Sequence, residues 1–589
     1  MLVNRALPPG SKSGIKECTR RERRRERRAE RLRAWACSTN CAQTSNAGAK
    51  SSSFAPPAIT AVATASLLLL PPDVALASSV PPLFMNPSGT EANASTAHST
   101  QANDVPSAPP LLAQAGSPQS ITRASMLLPS DAEADALPKI PESFPPLPPV
   151  QLPDYTEATL PNGLRLVLLE DHEVPIIRGS LLMRGGQYAS PPDKVGLATL
   201  SLALQRGGGS VQFPGPTLDA DLEEVAAAIE TNAGQQAFVM SFSCPSENVH
   251  TILRQFDTVL RSPALPAPRL EFYKTQVMDA LEHQDDDADV QAFRKLRQLM
   301  YGKDSIYARQ PNPETIASIT TDDARKFLRR WERPDNSVLG VIGDFDTQQM
   351  LGELQEVLGG WQAAPGQPER PPQVQLPADP LAPASQLAGK VFLLDRPGAT
   401  QASVFAAEPG VALNDPDATS LDLLGGMLSS FGGALFDQLR SREGLAYSVS
   451  GGWQSPPGHP GLFIAQAETS QPGALLKGLR RVLSASASQA PAMQDLAEAK
   501  EQRLNAFVFD FSSKRSLLVR TLIYDLLGLP RDQLLLYKAG LEAAQPSDIL
   551  NAARAHLHPS QQVTVVVADA KAVRAELEEA GFDVVPLGS

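Results

Sequence analysis

Two widely separated passages carry one pattern, and together they restrict this chain to a fold built twice. Arg333-Pro-Asp-Asn-Ser-Val-Leu-Gly-Val-Ile-Gly-Asp344 leads into a helical stretch, and so does Leu557-His-Pro-Ser-Gln-Gln-Val-Thr-Val-Val-Val-Ala-Asp569. In each, a short apolar run rich in β-branched residues reads as a buried strand. The segments that these passages close, 155–364 and 386–589, are 210 and 204 residues long. Two α/β halves of nearly equal length argue for internal duplication. Each is long enough to bury its own core without disulfides.

The order of elements recurs as well. In the first half, Glu157–Glu170 reads as two strands around a Pro-Asn-Gly turn, and Pro175–Arg184 as another. Helices are expected at 196–206 and 218–232, a strand at 236–244, then helices at 246–261, 268–285 and 289–300. Seven prolines between Pro365 and Pro383 mark a linker, assigned to 365–385. Strands then recur at 390–395 and 401–407, helices at 421–428 and 435–442, and strands at 446–454 and 462–468. A mostly helical run follows up to 556. The domain reading is 1–77 targeting region, 78–153 Pro/Ser/Ala-rich linker, 154–364 first domain and 386–589 second domain.

Charge and cysteine usage exclude several classes. Residues 1–50 hold 13 Lys and Arg against 4 Asp and Glu, a surplus of +9; of the formal −12, the rest therefore carries −21. An acidic body is no nucleic-acid binder. Three of the four cysteines precede residue 42, and Cys244 alone has no intrachain partner in the body. The run Ala58–Leu70 is 13 uncharged residues, followed by Ala75-Leu-Ala77. That is the length of a signal-peptide core, too short for a membrane span of about 20 residues. Export to the periplasm or another extracytoplasmic space is expected, with no stable membrane span in the mature chain. A two-part plastid signal, for thylakoid lumen or stroma, is the alternative.

The body resembles the pitrilysin and mitochondrial-processing-peptidase family of zinc metallopeptidases. The resemblance rests on Leu160-Pro-Asn-Gly-Leu-Arg165, Arg184-Gly-Gly186, Gly196-Leu-Ala198, Tyr301-Gly302, Arg333-Pro-Asp-Asn336 with Val341-Ile-Gly-Asp344, Asp395–Gln401 and Arg440–Tyr447, in that order. It implies an α+β fold, an α/β sandwich. Two homologous metallopeptidase-like domains are expected, each a mixed, mostly antiparallel sheet with helices packed on one side.

The family's zinc helix carries His-x-x-Glu-His after Gly-Leu-Ala. Here Thr199 and Ala203 stand at the histidine places and Leu202 at the glutamate place. None can ligate zinc or activate a water. The third-ligand place falls near Ala280, with Glu282 and His283 out of register. Asp285–Asp287 cannot all face one ion from a helix. Cys244, with His250 six residues on, is a small buried hydrophobe before it is a nucleophile. His556-x-His558 reads as a helix end.

In the second half, Gly425–Gly433 feeds a helix ending near Arg440, and Tyr447 opens a strand. They resemble the family's Arg/Tyr pair, which reaches the active chamber opposite the zinc. A guanidinium fork and a phenol can hold peptide carbonyls or a developing oxyanion. The resemblance therefore implies a non-catalytic, peptide-binding subunit. Zinc would sit in a paralogous partner of a heterodimer, this chain holding no cofactor of its own. The alternatives are a peptide-binding scaffold without a protease partner, or an independent hydrolase with a cryptic metal site at His556/His558 or Glu282/His283.

Overall fold

The structure is a computed structural model that describes residues 153–369, 371–510 and 513–588. The expected targeting region 1–77 and nearly all of the 78–153 linker lie outside the described residues. Among the described residues, no helix is long and apolar enough to cross a membrane.

Two six-stranded sheets carry the fold. The first contains β1 (Thr156–Thr159), β2 (Arg165–Glu170), β3 (Ile176–Arg184), β4 (Ala228–Ala233), β5 (Ala237–Pro245) and β6 (Ser337–Gly343), in the order β1-β2-β6-β3-β5-β4. The second contains β7 (Lys390–Asp395), β8 (Ala402–Pro409), β9 (Ser448–Gln454), β10 (Leu462–Thr469), β11 (Val563–Ala568) and β12 (Asp583–Leu587), in the order β12-β7-β11-β8-β10-β9. The duplication is explicit in the register. Strands β2 and β6 pair in parallel, as do β7 and β11, and the next three strands of each sheet pair antiparallel. Only one edge of each sheet differs. β1 is antiparallel to β2, whereas β12, which the sequence did not announce, is parallel to β7.

The helices of the first half are α1 (Leu197–Gly208), α2 (Gly215–Glu224), α3 (Val249–Arg261), α4 (Ala267–Glu282), α5 (Ala288–Tyr301), α6 (Pro313–Ser318), α7 (Thr321–Trp331) and α8 (Thr347–Leu358). Those that follow are α9 (Ala382–Gln386), α10 (Ala418–Ser429), α11 (Pro472–Ser488), α12 (Met493–Asp510), α13 (Lys514–Leu527), α14 (Gln533–Ala543), α15 (Pro546–His556) and α16 (Ala570–Glu579). The helix expected over 218–232 stops at Glu224, and its last third is the edge strand β4. Ala226 adopts φ 52°, which breaks the helix, and pairing with β5 overrides the helix preference of three alanines.

Each half lends a helix to the other. The first sheet packs one face on its own helices, around Leu164, Leu181, Phe242 and Phe256. Its other face is covered by α13, from the second half. Leu518, Leu522 and Leu526 lie against Val167, Leu182, Val338 and Ile342. Conversely, α5 of the first half covers the second sheet, where Ala292, Leu296 and Met300 meet Phe405, Val563 and Val565. Gly340 of β6 makes room for α13: a Cβ there would stand 2.5 Å from Leu522 Cδ1. Around this seam Arg165 pairs with Asp525 at 2.5 Å and Lys514 with Asp171 at 2.8 Å. Such half-exposed pairs add little stability, and the exchanged helices hold the halves together.

A buried aromatic knot seals the same junction. His459 sits among Tyr188, Tyr301 and Tyr307, with its ring 4.1 Å from that of Tyr307 and Nε2 3.3 Å from the Tyr188 hydroxyl. Burial holds its imidazole down at about 4, so it is neutral at physiological pH.

Candidate functional site

Helix α1 follows β3 and is the segment that by sequence resembles the family's zinc helix. Gly196 caps it at φ 102°, a left-handed conformation that other residues adopt only with strain. Leu197, Leu200, Leu202 and Leu204 point into the core, while Thr199 and Ala203 lie on the half-buried face. Among the described residues, no three His, Cys, Asp or Glu ligand atoms converge there. A hydrogen bond and an ion pair hold the helix to its neighbours. Thr231 Oγ1 donates to the Leu202 carbonyl at 2.8 Å, and Arg206 pairs with Asp219 at 2.7 Å.

The core side of α1 carries a buried polar pair. Gln205 Nε2 donates to Glu332 Oε2 at 3.1 Å, and both residues are buried. Burial pushes the Glu332 carboxyl up to about 8, while the Gln205 hydrogen bond opposes the shift. The folded state thus holds a proton that the unfolded chain, with its ordinary carboxylate, has released. The resulting stability is complete below about pH 4.5 and is lost as pH rises towards 8. Glu332→Gln keeps the shape and removes the titration. We expect its thermal midpoint at pH 8.5 to exceed that of the parent, by roughly 1–3 kcal/mol of stability, with the gap closing at pH 5. Equal midpoints at both pH values would show that Glu332 is not held neutral.

The other candidate groups are absorbed by local duties. His283 Nδ1 meets Asp286 at 3.0 Å on an exposed corner, remote in role from any metal set. Asp285 pairs with Arg294, and Asp287 caps α5 by accepting from Asp289 N and Val290 N at 2.8 and 3.1 Å. Burial drives the Cys244 thiol up to about 12, so no thiolate is available. His250 turns to Glu353 at 2.7 Å. The two histidines 556 and 558 face different carboxylates, Asp417 at 3.0 Å and Glu408 at 3.6 Å. They share no site.

Arg440 and Tyr447 are brought together. Helix α10 runs to Ser429, whose hydroxyl exchanges hydrogen bonds with Gly451 of β9 at 2.5 and 2.6 Å. The turn through Gly432, at φ 89°, then enters a wide π-helical segment, Phe436–Arg442, of a kind often found at functional sites. Leu439 anchors its inner side in the second core. Gly444, at φ 64°, ends the segment, and the Tyr447 N–H bonds Glu468 O at 3.3 Å beside β10.

The outcome is an exposed stack. The Arg440 guanidinium lies 4.7 Å from the Phe436 ring centre and 5.2 Å from that of Tyr447. Phe431 packs on Phe436 at a tilt of 46°, ring centres 4.8 Å apart, and is 91% exposed; Tyr447 is 71% exposed. Neighbouring Arg442 and Arg481 are taken by Asp437 and Glu443. Among the described residues, Arg440 makes no ion pair, so its fork remains open to an outside carbonyl or carboxylate. A recess of about 260 Å³ is lined by Asp287, Asp289, Gln401, Ser403 and Glu468, whose carbonyl accepts the Tyr447 N–H. Sequence reasoning missed Phe436 as a stacking partner, although its spacing of four residues from Arg440 is a helical-neighbour signal.

A twice-built α/β sandwich whose helix α1 offers no zinc ligand and no general base is the class of protein that the fold and the site define. Residues 318–503 match the family described as the Peptidase M16 inactive domain. A non-peptidase homolog of Helicobacter pylori, YmxG, is 25% identical over 288 residues, which is 48% of this chain and 62% of that protein. An uncharacterized zinc protease of Streptomyces coelicolor is 30% identical over 146 residues, 23% of this chain and 29% of that one. The chain thus spans less than two thirds of the length of these curated relatives. The solved peptidase M16 inactive domain of Pseudomonas fluorescens superposes with a TM-score of 0.62 at 20% identity, covering 70% of this chain and 98% of that one. Residues 318–503 thus resemble that family's inactive domain, and helix α1, outside the matched stretch, carries no His-x-x-Glu-His motif.

Proposed function

We propose that this chain is the catalytically silent, substrate-holding subunit of a two-chain zinc metalloendopeptidase. The observation that carries the reading is the contrast between the two halves. Helix α1 offers no ligand or base, yet Arg440 is kept exposed, stacked and without an ion pair among the described residues. In this reading Arg440 and Tyr447 grip the carbonyls of an extended peptide while a paralogous partner supplies zinc and the general base. The cluster of exposed Phe431, Arg440 and Tyr447 with half-buried Phe436 then faces the peptide. The homolog described as a non-peptidase supports the silent half of the proposal.

The test is reconstitution. The purified chain alone should cleave no peptide, and a zinc-bearing M16 paralogue mixed with it should gain activity at a fixed stoichiometry. Cleavage by the lone chain, or a paralogue indifferent to its presence, would overturn the proposal. Peptide binding by the lone chain with no partner effect would favour a scaffold.

A further inference from the structure

We propose that Asp415, Asp417 and His556 bind one divalent transition-metal ion, Zn²⁺ fitting best, which ties the start of α10 to the end of α15. One ligand atom from each of the three side chains lies within 4.8 Å of the other two, and all three residues are half-buried. His556 Nε2 stands 3.0 Å from Asp417 Oδ2. Zinc bonds of about 2.0–2.2 Å place neighbouring ligand atoms at about 3–3.6 Å, so the triad needs only small side-chain adjustment. One imidazole with two carboxylates favours zinc over magnesium or calcium, which prefer oxygen alone.

Both sides of the site are rigid. Pro416 locks the backbone between the two aspartates, and Asp415 Oδ1 accepts the Asp417 N–H at 2.9 Å. His556 occupies the last turn of α15, whose Ala552 and Ala553 are fully buried. The negative end of α15 helps to offset the positive end of α10.

A simple His–Asp ion pair explains the triad less well. It would use one carboxylate and leave Asp415 as a second acidic group beside the same ring. Among the described residues, no Lys or Arg pairs with either aspartate. The contrasting cluster is His172 with Glu170 and Asp344. There the histidine side chain is 61% exposed, against 25% for His556, and Glu170 and Asp344 also accept from the Thr347 N–H and the Ser246 hydroxyl. The ion would be structural. It would stiffen the base of α10, whose far end, about 18 Å away at 1.5 Å per residue, leads to the Arg440 segment.

The full chain, stripped with chelator, should take up one equivalent of Zn²⁺ by calorimetry. Its melting temperature should rise by several degrees at saturating zinc, but not with the same concentration of Mg²⁺. Asp415→Asn preserves the turn hydrogen bond and should weaken zinc binding on the order of 100-fold, as should His556→Ala. His172→Ala should leave the stoichiometry at one. Should His556→Ala fail to fold, Asp415→Asn decides alone. Zinc affinity unchanged in Asp415→Asn, no melting shift in the parent, or loss of the equivalent in His172→Ala would each overturn the assignment.

Discussion

Replacing Arg440 with alanine is expected to lower turnover of the proposed two-chain peptidase, once reconstituted, roughly 100-fold, about 2.7 kcal/mol, with the complex still assembled. The guanidinium is stacked between Phe436 and Tyr447 rather than paired, so its removal breaks no ion pair among the described residues. What is lost is a forked donor aimed outwards. Arg440→Lys should recover only part of the rate, because an ammonium stacks less well and cannot hold two acceptors in one plane. Tyr447→Phe should cost less than Arg440→Ala, since the ring that supports the guanidinium stays. Steady-state kinetics on the mixed subunits, with gel filtration to verify assembly, reads all three. An unchanged rate for Arg440→Ala would make the stack a packing feature and sink its role in trans.

The largest stability effect is expected where the halves exchange helices. Leu522 of α13 is fully buried against the first sheet, and its truncation to alanine should cost about 3 kcal/mol. Gly340→Ala should also destabilise, by about 1–3 kcal/mol, since the new methyl would lie 2.5 Å from Leu522 Cδ1. The two changes are complementary: the alanine methyl enters the space that Leu522 vacates. The double variant should therefore be more stable than the sum of the single losses predicts, by about 1–2 kcal/mol. Leu518 still stands 3.2 Å from the new methyl, so rescue is partial. Calorimetric melting of the four proteins measures the coupling. Strict additivity would mean that α13 is not seated on β6 as described.

Much of the fold was legible because periodicity and chain order were enough. The corresponding strands β6 and β11, the recurring element sequence and the Gly-Leu-Ala entry to α1 all follow from local pattern. The edge strands were harder. β4 lies in an alanine-rich run with helical preference, and only its pairing with β5 makes it a strand. β12 is short and half-exposed, so it has no strong alternation to announce it. The candidate site was half legible. Arg440 and Tyr447 stand out through motif resemblance, whereas Phe436 and Phe431 carry no motif and matter only because the π-helical turn stacks them. Asp415 and Asp417 were not visible as partners of His556, because nothing in local spacing links residues 139 apart.

By itself, the sequence determined that a zinc centre of the His-x-x-Glu-His kind cannot form on α1. Thr199, Leu202 and Ala203 lack the atoms for it, and no folding supplies a missing nitrogen. It also determined the duplication, since strand and helix periods are local properties of the chain. Tertiary structure alone decided three other things: which helix covers which sheet, that Arg440 stands between two rings, and that His556 meets an Asp-Pro-Asp turn. These depend on burying apolar faces between elements far apart in sequence. That long-range packing is settled by the summed area and shape of the whole core, not by any single segment.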